Sequence, residues 1–85
     1  MKSFSYVIKD KVGIHARPAG LLAKEAKNFK SEIIIEKDGK YVNAQKLMQI
    51  MGMGIKCGDK VTVNIKGIDE EEAYLAIESF FKQNL

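Results

Sequence analysis

Glu32-Ile33-Ile34-Ile35-Glu36-Lys37-Asp38-Gly39-Lys40-Tyr41-Val42-Asn43 reads as two antiparallel strands and the turn between them. The first half has a fully apolar, β-branched centre, Ile33-Ile34-Ile35, bounded by charged residues, which suits a pleated strand. Asp38-Gly39 is a two-residue hairpin signal. Both central positions of such a turn need positive φ, which glycine adopts freely and aspartate tolerates. Working outward, Phe4, Tyr6 and Ile8 alternate with Ser3, Ser5 and Lys9, a half-buried strand whose polar face is broken only by Val7. On the far side Val61, Val63 and Ile65 alternate as a fourth strand. A sheet with one apolar face needs something to cover it.

Helices supply the cover. The first runs from about Ala16 to Phe29, with Ala19, Leu22, Ala23, Ala26 and Phe29 as its buried stripe. A short one spans Leu47 to Met53, ended by Gly52 and Gly54. The last opens at Asp69, with Glu72 three residues on completing a capping box. Glu70, Glu71 and Glu72 suit its positive end and Lys82 its negative end, while Ala73, Ala76, Ile77 and Phe80 form its buried stripe. The order strand, helix, strand, strand, helix, strand, helix points to an α+β sandwich, an antiparallel sheet with helices on one side. Periodicity alone leaves the spatial order of the strands open.

Composition bounds the function classes. Eighty-five residues make one domain, 1–85, and a chain of this size buries about 60–65% of its unfolded surface. No apolar run approaches the roughly 20 residues of a membrane span, and no membrane insertion is expected. Met1-Lys2-Ser3-Phe4-Ser5 leads straight into a strand, so no signal peptide is expected. Cys57 is the only cysteine and has no internal partner, which suits a reducing cytoplasmic compartment. The net charge of +3 comes from lysines scattered between Lys2 and Lys82, so it does not by itself imply nucleic acid. A sheet that binds RNA would expose aromatics among basic residues, and Tyr6 and Tyr41 are too few to make one.

The chemistry gathers at Gly13-Ile14-His15-Ala16-Arg17-Pro18-Ala19, which carries the only histidine. A lone histidine is most often an ordinary surface or core residue, but this one stands at the mouth of a helix. Unpaired N–H groups and the positive end of the helix dipole converge there and favour an anion. Arg17 adds a guanidinium fork that matches phosphate oxygens. Pro18 fits the first turn, where its missing N–H costs nothing. The segment reads as a place to hold a phosphoryl group on His15, with Ala16 and Arg17 as its anion-binding residues.

Arg17, Gly20, Lys24 and Lys27 share one stripe of the same helix, a docking face for acidic partners. Gly20 either lets a partner approach closely or packs tightly within the fold. Leu47, Met48, Ile50, Met51 and Met53 are too many apolar residues for so short a helix to bury, so some make an adaptable exposed patch. A soft-metal reading of Met48, Met51, Met53 and Cys57 has nothing to bring them to one point. No metal and no cofactor are expected.

The seven-residue motif, the chain length, the Met-rich segment Leu47 to Ile55, the strand Val61 to Ile65 and the closing helix together resemble the HPr family. These are the histidine-containing phosphocarriers of the bacterial phosphoenolpyruvate–sugar phosphotransferase system, and the resemblance covers essentially the whole chain. It implies an open-faced sandwich with strand order 1-4-2-3 and all three helices on one face. It also implies that His15, through Nδ1, takes a phosphoryl group from phospho-enzyme I and passes it to sugar-specific enzyme IIA domains during sugar uptake. The chain would then be a cytoplasmic, monomeric substrate of enzymes, itself no enzyme, with Lys46, Leu47 and Met51 joining Gly20, Lys24 and Lys27 on the partner surface. A paralogue serving a regulatory phosphorelay is the alternative. One departure stands out. Where many Gram-positive members carry a regulatory serine, this chain has Lys46, which has no hydroxyl to phosphorylate and sits unfavourably at a helix start.

Overall fold

The computed structural model describes residues 1–85. Strand β1 (Lys2–Val7) leads to helix α1 (Ala16–Ala26), the hairpin strands β2 (Glu32–Lys37) and β3 (Lys40–Asn43), helix α2 (Leu47–Gly52), strand β4 (Lys60–Lys66) and helix α3 (Glu70–Asn84). The strands form one antiparallel sheet in the order β1-β4-β2-β3, the order the family resemblance implies. The hairpin turns where expected, with Asp38 at φ 51° and Gly39 at φ 81°.

Register decides which side chains meet. Val63 on the central strand lies opposite Phe4 on one side and Ile35 on the other. The inward row therefore runs Phe4 and Tyr6, then Val61, Val63 and Ile65, then Ile33 and Ile35, then Val42. Ala19, Leu22, Ala23 and Ala26 of α1, with Ala73, Ile77 and Phe81 of α3, close over it. The Phe81 ring meets Phe4 and Tyr6 edge-on, with centroids 5.6 and 5.7 Å away. The opposite face is mostly polar, broken by Val7, Ile34 and Tyr41, and Ser5 and Thr62 are hydrogen-bonded across it at 3.1 Å. No helix is long and apolar enough to cross a membrane.

Three local expectations need correcting. α1 stops at Ala26 rather than Phe29, because the N–H groups of Asn28 and Phe29 turn back to Glu25 and Ala26 in tighter bonds. Phe29 still packs, half-buried, against the core. In α3 the fully buried aromatic is Phe81, and Phe80 and Ala76 are only half-buried. Ala73, Ile77 and Phe81 are four apart, so they stay on one line facing the sheet.

The capping box does not form either. The Asp69 carboxylate accepts the N–H groups of Lys30 and Ser31 at 2.8 and 2.9 Å, and the buried Ser31 hydroxyl as well. It therefore ties the α1–β2 turn to the start of α3. Glu70, not Glu72, reaches back to a backbone group, the N–H of Gly67 at 3.1 Å. Ser31 and Lys30 hold the Asp69 carboxyl below the usual carboxylate range. The amino group of Met1, 2.9 Å from Glu70, does the same there, helped by the Gly67 N–H.

Candidate functional site

His15 is the N-cap of α1, in extended conformation at φ −112° and ψ −175°. Its carbonyl accepts the Ala19 N–H at 2.9 Å, but its imidazole makes no hydrogen bond. Serine, aspartate or asparagine in this position would fold a side-chain oxygen over the first turn. Histidine leaves the N–H groups of Ala16 and Arg17 without a partner in the protein. Pro18 has no N–H, and no acidic side chain lies in the first turn. The helix mouth therefore presents two N–H donors and the positive end of the helix dipole beside the imidazole, a geometry that favours an anion.

The loop that delivers the ring is held from several directions. Gly13 adopts φ +77° and its N–H bonds to Asp10 O at 2.9 Å. The Ile14 N–H bonds to Ile55 O at 3.1 Å. A Cβ on Gly13 would collide with the Ile55 carbonyl oxygen and stand 2.7 Å from Lys56 Cα, so only glycine fits. Upstream, the backbone oxygen of Leu85 accepts the N–H groups of Lys9 and Asp10 at 2.6 and 2.8 Å.

The partner residues expected from sequence fall on a connected surface. Arg17, Lys24 and Lys27 are exposed and make no ion pair; Lys27 is the C-cap of α1 rather than part of its body. Gly20 is half-buried, and a Cβ there would meet nothing within 4 Å, which removes the close-packing explanation for it. Gln45 donates to Ala26 O and Phe29 O at 3.2 and 3.4 Å, tying the start of α2 to the end of α1. Ile55, beyond α2, is bonded to Ile14 before α1, so α2 runs back along α1. Lys46 is the exposed N-cap of α2, and its side chain caps nothing. Ile50 and Met53 are buried, whereas Leu47, Met48 and Met51 are 39%, 77% and 40% exposed. The helices that carry the basic stripe and the apolar row thus lie side by side.

Two further residues bear on the reading. Tyr6 turns inward onto Phe81 while Tyr41 is exposed, so they share no surface on which bases could stack. Lys56 was not singled out by any local pattern, because its place beside the site comes from its contact with Gly13, 43 positions away in sequence.

The family model for the phosphotransferase-system HPr component phosphorylation site matches residues 2–83. The chain is 46% identical to phosphocarrier protein HPr of Mycoplasma genitalium over 85 residues, covering 99% of this chain and 97% of that protein. Its fold is similar to a solved structure of the histidine-containing phosphocarrier protein from Mycoplasma, with a TM-score of 0.94 at 43% identity over 96% and 93% of the two chains. It is also similar to Bacillus subtilis Crh, solved as a domain-swapped dimer, with a TM-score of 0.78 at 36% identity over 94% and 92% of the chains. Since the match takes in all four strands and all three helices, and not only the histidine loop, the chain belongs to the HPr family of phosphotransferase-system phosphocarrier proteins.

Proposed function

We propose that His15 accepts a phosphoryl group from phospho-enzyme I through Nδ1 and passes it to sugar-specific enzyme IIA domains. The observation that carries this reading is the pair of first-turn N–H groups of α1, Ala16 and Arg17, left without a partner in the chain beside an imidazole with no hydrogen bond of its own. In its neutral form the ring attacks phosphorus, and the N–P bond forms as the donor's bond to phosphorus breaks. The N–H groups of Ala16 and Arg17 and the Arg17 guanidinium meet the phosphoryl oxygens. Two backbone donors and one side chain hold the group without locking it in place, which suits a carrier that must give it up again.

Gly20, Lys24, Lys27, Lys46, Leu47 and Met51 form the surface that acidic partners meet. Unpaired cations there speed encounter, and a small apolar patch adapts to several partners. Exchange stays fast. The chain acts in the cytoplasm as a substrate of phosphotransfer enzymes rather than as an enzyme. We take the transferring species to be a monomer, since the loop, the helix mouth and the basic face all belong to one chain. The likeness to Bacillus subtilis Crh, a catabolite-repression protein, favours a second reading, an HPr paralogue in a regulatory phosphorelay. Lys46 offers no hydroxyl for a regulatory phosphate in either case.

Intact mass after incubation with phosphoenolpyruvate and an active bacterial enzyme I tests the reading. The native chain is expected to gain one acid-labile phosphoryl group and His15→Ala none. No gain in the folded native chain would reject the phosphotransferase role.

A further inference from the structure

We infer that Lys56 is a second cationic contact for the acidic partners of the His15 site, on the turn that follows α2 and packs beside the loop before the helix mouth. This rests on the phosphocarrier reading above and assigns a partner-contacting residue that the motif does not contain. The placement is set by backbone. Lys56 Cα lies 2.7 Å from where a Cβ on Gly13 would stand, two residues before His15. The preceding residue, Ile55, is hydrogen-bonded to Ile14 at 3.1 Å. Any protein that reaches the His15 ring passes close to this turn.

The turn is already ordered. The Lys56 N–H donates to Asp59 Oδ2 at 2.7 Å, and the Lys56 carbonyl accepts the Asp59 N–H at 3.0 Å. The side chain is exposed and makes no ion pair. Two acids lie in the neighbouring loops, and both are engaged. The Asp59 carboxylate is paired with Lys37 Nζ at 2.9 Å, and Asp10 Oδ1 accepts the Val12 N–H at 2.9 Å. Of the neighbouring lysines, Lys9 lies over the Tyr6 ring with its ammonium 6.0 Å from the centroid, and its carbonyl faces Cys57 Sγ at 3.7 Å.

Lys56 therefore combines a fixed backbone with an ammonium that makes no ion pair, although its charge helps to hold the Asp59 carboxyl below the ordinary range. The basic stripe runs along α1 from Arg17 at the mouth to Lys27 at the far end. Lys56 adds positive charge on the turn packed against Gly13, ahead of His15. A carboxylate on an incoming partner meets it without reordering the loop, so little entropy is lost on contact. Charges on the rim of an interface act on encounter rate and salt dependence more than on the chemical step.

The test is the initial rate of phosphoryl transfer from enzyme I into the full chain, at varied chain and salt concentrations. Lys56→Glu is expected to raise KM by about tenfold and Lys56→Ala by less, with kcat unchanged and a flatter dependence of KM on salt. Lys56→Arg is expected to keep the native KM. Lys66→Glu changes net charge equally at the opposite end of β4 and is the control. Equal shifts for Lys56→Glu and Lys66→Glu would reduce the effect to net charge and overturn the inference, as would an unchanged KM in Lys56→Glu. A native chain that takes up no phosphoryl group brings down the His15 reading and this contact together, whereas failure in the variants alone brings down only the contact.

Discussion

α1 and α3 pack beside each other over one face of the sheet, and neither N-cap side chain bonds its own helix, but the two N-terminal ends differ in the acids around them. At α3, Asp69 is spent on Lys30 and Ser31, Glu70 on Gly67 and the Met1 amino group, and three glutamates fill the first turn. At α1, the cap residue bonds nothing with its side chain, and the first turn holds no acid. At α3 the acids stabilise the helix end and tie it to its surroundings. At α1 the first turn carries no acid that would repel an anion, as the proposed phosphoryl site requires. The contrast teaches that a helix terminus can be recognised as a site by what the chain declines to place there.

The strongest way to break the contrast is to finish α1 as α3 is finished. Ala16→Glu is expected to stabilise the fold by about 0.3–1 kcal/mol through the helix dipole. The same carboxylate repels an incoming phosphoryl group, so uptake on His15 falls by about tenfold or more. Chemical denaturation reads the first effect and intact mass over time the second. Undiminished uptake would show that the helix mouth does not hold the group.

Acid sharpens the comparison from the other side. The carboxyls of Asp69, Glu70 and Asp59 are held below their ordinary range, the first by Ser31 and Lys30, the second by the Met1 amino group and Gly67, and the third by Lys37 and Lys56. Folding then favours the ionised forms. The stability they contribute is complete above the ordinary carboxylate range, about pH 4, and is lost as pH falls through the lower folded values. Melting temperature is expected to drop steeply below about pH 4. Asp69→Asn should lower it at neutral pH and flatten the acid slope. An unchanged slope would assign the acid sensitivity to Asp59 and Glu70.

The smallest expected effect lies within α1. Gly20→Ala places a methyl group in open space and gains about 1 kcal/mol of helix propensity. If a partner's surface closes over this position, KM for transfer rises although the protein is more stable. A more stable variant with unchanged KM would mean that no partner approaches Gly20 closely.

Most of the elements were legible because their signals are local. Ile33-Ile34-Ile35, Asp38-Gly39 and the alternation at Val61, Val63 and Ile65 each depend on neighbours in sequence, and each appears as read. The helix mouth at His15 was legible for the same reason. The strand order was not in the pattern and came only through the resemblance, because β1 pairs with β4 across more than fifty residues. The Asp69–Glu72 capping box failed on the same ground: Ser31 and Lys30 arrive from 38 and 39 positions away and take the carboxylate first. Phe80 and Phe81 both satisfy helical spacing from Ile77, and only the positions of Phe4 and Tyr6 on β1 choose between them. Lys56 was invisible because nothing in its own neighbourhood points to Gly13.

The clasp between Gly13-Ile14 and Ile55-Lys56 makes the motif inseparable from its fold. A peptide that carried Gly13 to Lys27 would have every residue of the histidine segment and neither the loop path nor the helix mouth. If His15 is loaded as proposed, readiness to be loaded is also a certificate of folding: a molecule whose α2–β4 connection has come loose would not hold the histidine at the helix mouth and would drop out of the exchange.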